Sequence, residues 1–226
     1  MKPLELLGET RAPDGTHLAL TRRDREFIIL AGGKPLMSSR MHGSEQALAA
    51  FGCQHIQQDA PWVLVGGLGM GFTLRATLDL LPPDATVLVA ELVADVVAWN
   101  RGPLGPLAGN PLQDRRVRVE VEDVGVVLRT SRDRFDAVLL DVDNGPDAFT
   151  ASGNVRLYND EGLAAARAAL RPGGTLAVWS AWEDRRFEQR LRYAGFTVKV
   201  ERIRARLKQG GPRHTIFVAT LPSEAA

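Results

Sequence analysis

Six consecutive residues, Gly66-Gly67-Leu68-Gly69-Met70-Gly71, are the first place in this chain where residue types and spacing could do chemistry. They follow the apolar run WVLVG and precede a helical stretch that begins near Phe72. Glycines at such a junction permit positive φ and close approach of backbone to ligand, and the helix N-terminus behind them offers amide donors. The same glycines also make a tight strand-to-helix turn with no ligand, so the loop alone does not decide. Glu91 ends the second apolar run about twenty residues further on, where an acid in such folds accepts hydrogen bonds from both hydroxyls of a ribose. Alone, it would read as a solvated acid opening a loop. Together, loop and acid indicate a nucleoside ligand. The spacing is GxGxG, with Phe72 where the third glycine of GxGxxG would stand, which fits a dinucleotide poorly and an adenosyl donor better. Asp123 follows RVRVEVE, where it could accept from the adenine amine or cap the helix starting at Val124.

Two further acids suit proton transfer. Asp141 closes the run FDAVLLD and Asp143 lies two residues beyond it. Either could orient an amine and take its proton. Their ordinary readings are a strand-end carboxylate capping a turn and an Asx-turn acid beside Asn144. Sites in open parallel sheets lie beyond the carboxyl ends of the strands, which favours function for Asp141.

A sheet must hold these residues, and the chain provides one. WVLVG, TVLVAE, RVRVEV, FDAVLLD and GTLAVWS are short, nearly continuous apolar runs of the kind buried on both faces of a parallel sheet. Helical stretches from Thr73 to Leu80, Ala94 to Asn100, Val124 to Thr130 and Glu161 to Leu170 supply the crossovers. FTVKVERIRAR and HTIFVATL flank Gln209, Gly210, Gly211 and Pro212, which makes a closing antiparallel hairpin. The expected class is therefore α/β: a doubly wound, mostly parallel, seven-stranded Rossmann-like sheet with a C-terminal antiparallel hairpin, across residues 59–226. Residues 1–58 form a small N-terminal β element, with strand patterns from Thr16 to Ser39, and a linking helix capped at Ser44 that ends near Gly52.

The order of VLVGGLGMG, VLVAELVADVV, DRRVRVEVEDV, FDAVLLDVDNGP, RLYNDEGLAAARAALRPGG and the closing hairpin resembles the spermidine synthase family of aminopropyltransferases, within the class I S-adenosylmethionine-dependent methyltransferase fold. The similarity covers most of the chain from Pro61 and extends, less specifically, to the N-terminal module with its MHGSE segment. The resemblance implies that Glu91 binds the donor ribose, Asp123 the adenine, and that Asp141 stands at the family's catalytic aspartate. Asp143, with Gly145-Pro146, looks like a contracted form of the acidic loop that follows. The implied activity is transfer of an aminopropyl group from decarboxylated S-adenosylmethionine to an amine or polyamine acceptor, as in polyamine biosynthesis. Gly69 occupies the position of the family's loop aspartate. An uncharged loop also fits the carboxylate-bearing end of S-adenosylmethionine, so a methyltransferase on the same scaffold is the alternative. A non-catalytic interaction module that kept the fold is a third reading.

His42 and Glu45 sit where the N-terminal module could close over the pocket as acceptor or lid residues, or else are a loop histidine and an early-turn glutamate. Trp179 and Trp182, near the end of the fifth strand, could line an acceptor pocket or simply pack. His17, His55 and His214 share no ligand spacing, and Cys53 is the only cysteine, so neither a metal nor a disulfide is expected. With 226 residues and 45% hydrophobic content the chain can bury a core, and a formal net charge of +1 gives no bulk argument for nucleic acid. The arginines from Arg185 to Arg206 lack interleaved aromatics and read as solvated faces. No apolar run suits a signal peptide or a bilayer span, which makes the cytoplasm the expected home. Two copies could pair across a two-fold axis through the β-rich N-terminus.

Overall fold

The computed structural model describes residues 3–142, 155–204 and 211–223. The chain opens with an antiparallel meander of β1 (Glu5–Arg11), β2 (His17–Arg23), β3 (Glu26–Ala31) and β4 (Lys34–Ser38), in that spatial order. Sequence pattern finds the last three strands and misses β1. ELLGETR does not alternate cleanly, its register slips between Leu6 and Gly8, and it lies at the sheet's edge. Its closeness to the main domain shows at Gly8, where an added Cβ would come within 2.6 Å of the Trp99 indole nitrogen.

Helix α1 (Gly43–Cys53) links this meander to the second sheet. Ser44 is not its N-cap. The cap position belongs to His42, which makes no capping bond, and Ser44 lies in the first turn with its hydroxyl on side chains. The alternating units that follow are β5 (Trp62–Gly66), α2 (Phe72–Leu80), β6 (Thr86–Ala90), α3 (Ala94–Arg101), β7 (Val117–Glu120), α4 (Val124–Thr130) and β8 (Phe135–Leu140). Then come α5 (Val155–Tyr158), α6 (Asp160–Ala169), β9 (Leu170–Ser180), α7 (Arg185–Tyr193) and the hairpin of β10 (Thr197–Arg204) with β11 (Arg213–Thr220).

The second sheet has the order β10-β11-β9-β8-β5-β6-β7, and only β11 runs against its neighbours. The chain leaves β5 toward β6 and β7, then returns to place β8 on the other side of β5. That reversal makes the carboxyl end of β5 a topological switch point, where doubly wound sheets usually hold a ligand in a crevice.

Alternation along the central strands explains burial on both faces, with one slip in β8, where the register shifts between Phe135 and Ala137. Val63, Val65, Val87, Val89, Ala137 and Leu139 pack with α1, α2, α3 and the meander's Leu20 and Ile29. Leu64, Leu88, Phe135, Val138 and Leu140 pack with α4, α6 and α7 on the opposite side. Each of these buried valine, leucine, isoleucine and phenylalanine side chains contributes roughly 1.5–3 kcal/mol of transfer free energy. The meander shares one apolar cluster with the α1 face of the large sheet, so its last strand and α1 are held against the crevice. Among the described residues, no helix is long and apolar enough to cross a membrane.

Candidate active site

The glycine loop sits at that crevice. Gly66 ends β5, and Gly67, Gly69 and Gly71 all have positive φ, with Gly71 capping α2. Leu68 and Met70 between them turn inward and are buried, so the loop exposes backbone while its side chains anchor it. Gly67 shows why glycine is required: φ is +85°, and an added Cβ would lie 2.5 Å from the Asp141 carbonyl oxygen. We expect Gly67→Ala to cost at least about 2 kcal/mol, from left-handed strain plus that clash, and to lower the melting temperature by roughly 5 °C in thermal unfolding.

Two polar side chains fix the loop from below. The Asn100 side-chain amide at the end of α3 donates to Gly69 O at 2.8 Å and to Val96 O at 2.9 Å. Glu91 follows β6 and is only 8% exposed, pointing inward. One of its carboxylate oxygens accepts from Leu68 N at 2.8 Å and the other from Val93 N at 2.9 Å. Glu91 backbone bonds to Glu120 and Glu122 bring the start of α4 alongside. There Asp123 caps α4, its Oδ1 accepting from Val126 N at 3.1 Å, which is the helix-capping alternative read from sequence.

Asp141 follows β8 on the other flank of the loop, with its N–H on Gly66 O at 2.9 Å. Its Oδ2 accepts from the Thr73 hydroxyl at 2.5 Å, so the first turn of α2 orients the carboxylate. Burial pushes the Asp141 carboxyl up to about 6, against the lowering effect of that hydroxyl. Glu45, from the first turn of α1, lies within reach of the Asp141 charge. Burial pushes Glu45 up to about 7, the Asp141 charge adds to the rise, and bonds from Ser44 and the backbone oppose it. Two buried carboxyls thus lie close enough for the charge of one to raise the other, so that holding both ionised is costly, the setting that prepares one to accept a proton near neutrality.

The surroundings are aromatic and neutral. His42 packs edge-on against Phe72 at 4.3 Å between ring centroids, and burial lowers its pKa. Trp179 packs against His214 at 4.6 Å, and the His214 Nδ1 lies 2.9 Å from the Ser44 hydroxyl, which in turn donates to Glu45 at 2.7 Å. Trp182 lies apart, 42% exposed beyond the end of β9. Met37 of β4 covers the loop: an added Cβ on Gly69 would meet its terminal methyl at 2.8 Å. Asp143 and the Gly145-Pro146 segment lie outside the described residues.

No protein-family model matches the chain, and no curated protein sequence matches it. Solved structures do. A spermidine synthase in complex with the transition-state analogue AdoDATO superposes with a TM-score of 0.73 at 16% identity, covering 96% of this chain and 72% of that one. The spermidine synthase from Thermotoga maritima gives 0.74 at 16% identity, with the same coverage. A probable spermidine synthase from Corynebacterium glutamicum gives 0.67 at 18% identity, covering 97% of this chain and 81% of that one. The chain has the spermidine synthase fold. The coverage includes the N-terminal meander, so the likeness to this fold extends beyond the Rossmann-like sheet that many unrelated proteins share.

On that fold the structure gathers Gly66, Gly67, Gly69, Gly71, Glu91 and Asp123 around one side of the crevice, and Asp141, Glu45, His42 and Trp179 around the other. Ser44, Thr73, Asn100 and His214 are the residues that sequence reasoning missed. No local sequence pattern marks His214, and it is strand pairing that brings it to the site. The hairpin returns its second strand beside the fifth, and the observed register sets Thr215 opposite Ser180 and Ile216 opposite Trp179. His214 is thereby carried to the carboxyl end of β9.

Proposed function

We propose that this chain is a transferase that moves an aminopropyl group from decarboxylated S-adenosylmethionine to an amine or polyamine acceptor. The observation that carries the reading is the facing pair Glu45 and Asp141, both raised in pKa, at the mouth of a glycine loop backed by a buried glutamate. A carboxylate retains acceptor capacity after one bond per oxygen, so Glu91 can hold the loop and still receive ribose hydroxyls. Asp123 caps α4 through one oxygen, compatible with a second role at the adenine edge. The acidic pair attracts a cationic amine, and its raised pKa values suit removal of one amine proton near neutral pH. A sulfonium donor carries its own leaving group, so the protein's work is alignment and proton removal. No metal is needed for either.

Gly69 supports a second reading, methyl transfer from S-adenosylmethionine. The position lacks a carboxylate, and the Met37 methyl lies where a side chain would stand. Calorimetric titration with the two donors separates the readings. We expect the decarboxylated donor to bind at least about tenfold tighter, a difference of about 1.4 kcal/mol. Tighter binding of the carboxylated donor would replace aminopropyl transfer by methyl transfer, and binding of neither would leave an interaction module.

A further inference from the structure

We propose that His214, acting through Ser44, positions Glu45 and carries its proton out of the cleft, so that the chain His214, Ser44, Glu45 is a relay serving the acceptor side of the site. The inference rests on the reading of Glu45 and Asp141 as the acceptor's proton-receiving pair, and it adds a residue from the last strand that the spacing of the histidines gave no reason to choose.

The geometry is continuous. His214 Nδ1 and the Ser44 oxygen are 2.9 Å apart, and the Ser44 oxygen and Glu45 Oε2 are 2.7 Å apart. Serine has a single proton to give, so donation to Glu45 requires that His214 donate to Ser44 from Nδ1. When Glu45 is protonated the direction reverses: the carboxyl donates to Ser44, Ser44 donates to Nδ1, and the ring proton sits on Nε2. One hydrogen-bonded path therefore has two complete states, each matched to one protonation state of Glu45. Trp179 holds the ring edge-on, which limits the imidazole to the orientation the relay needs. His214 is half-buried, so the ring retains access to water. Burial lowers its pKa, and an imidazolium formed there gives up its proton readily.

The step balances. An acceptor arrives as an ammonium and passes one proton to the Glu45 and Asp141 pair. Its freed lone pair bonds the donor carbon while the carbon–sulfur bond breaks, and the sulfur leaves as a thioether holding that electron pair. The product amine is an ammonium with its remaining protons. The Glu45 proton moves to the Ser44 oxygen as the Ser44 proton moves to Nδ1, leaving a carboxylate and an imidazolium, and Nε2 releases one proton to water. Water-mediated exchange of the ring proton then resets the tautomer. Without such a path, the proton would have to leave through the cleft that substrate and product fill. The groups facing Glu45 from the packed elements are Asp141 after β8 and His214 on β11. Thr73 on α2 and the Trp179 indole on β9 are neutral, and His42, on its own helix, is kept neutral by burial.

Two measurements test the relay. The first needs no activity: nitrogen-15 shifts of the His214 ring are followed from pH 5 to 9 in the wild type, Ser44→Ala and Glu45→Gln. We expect a change of tautomer in the wild type that tracks Glu45 ionisation and disappears in both variants. A His214 signal indifferent to Glu45→Gln overturns the proposal. The second is steady-state kinetics of His214→Asn, whose side-chain amide still bonds Ser44 but relays nothing, and of His214→Ala with added imidazole. We expect kcat to fall at least about tenfold with both KM values little changed, short of the ~10²–10⁴ of a directly acting acid–base group, and imidazole to restore part of it. Unchanged kcat in His214→Asn overturns the relay. A wild type that transfers nothing to any amine sinks the functional reading instead, and the tautomer experiment still decides whether the path conducts.

Discussion

Replacing Asp141 by Asn is expected to lower turnover by about a thousandfold while leaving the donor dissociation constant within about threefold, since loss of a positioned acid–base group typically removes 10²–10⁴. The asparagine oxygen can still accept from Thr73, so the site's geometry survives, and what disappears is the capacity to take a proton. In the proposed placement the donor is held by the loop and Glu91 and not by the Asp141 carboxylate, which would separate binding from turnover. The same substitution has a signature in stability. The Asp141 carboxyl is raised from its ordinary 3.8 to about 6, so its neutral form suits the fold and its ionised form does not. Well below 3.8 the group is protonated folded or unfolded and costs nothing. As the pH rises through 6 the folded state must either keep a proton that the unfolded chain has released or hold a buried charge, so stability falls. Asp141→Asn removes that penalty and should be more stable than the wild type at pH 8 by roughly 1–2 kcal/mol, after allowing for partial solvent access, and nearly equal to it at about pH 3. Chemical denaturation at the two pH values measures this. Wild-type turnover in the variant would take Asp141 out of the chemistry.

The parts of this architecture that depend on local sequence were legible, and those that depend on distant pairing were not. Short apolar runs bounded by turns read as strands of a parallel sheet, and all five stand in it, but RVRVEV, expected to be buried on both faces, is the half-exposed edge strand β7, with the closing hairpin at the opposite edge. The predicted crossover from Val124 to Thr130 matches α4, and the one from Ala94 to Asn100 is α3 less its last residue. Strand β1 escaped because an edge strand against a glycine bulge has no alternation to read. The pairing of the glycine loop with Glu91, the proposed donor side, is legible for the same reason as the strands: a glycine loop and a strand-end acid occur at fixed spacing within one supersecondary unit. The proposed acceptor side is assembled from three places, the first turn of α1, the end of β8 and the start of β11. Ser44 and His214 are 170 residues apart in sequence yet share a hydrogen bond. Periodicity cannot report that pairing, and only the register of β11 against β9 brings it within reach.

The second large effect is expected at Glu91. Its two oxygens satisfy the amides of Leu68 and Val93 in a buried position, so Glu91→Ala leaves both donors without a partner, at about 1–3 kcal/mol each. The glycine loop then loses the tether that holds it against β6, and a ribose loses the carboxylate proposed to receive its hydroxyls. Donor affinity should fall at least about a hundredfold, since charge-assisted hydrogen bonds are worth about 1.5–3 kcal/mol apiece. Loss of fold and loss of contact must be told apart, and Glu91→Gln does so. Its single amide oxygen can replace only one of the two acceptors, while its NH2 group faces a backbone N–H, so the loop is strained but the side chain keeps its volume. We expect this variant to melt closer to the wild type than Glu91→Ala and to bind donor at least about tenfold more weakly than the wild type in calorimetry, one lost acceptor being worth about 1.4 kcal/mol or more. If folded Glu91→Gln bound donor as well as the wild type, the carboxylate would serve the loop alone. A nucleoside held by the glycines would then need another anchor for its sugar.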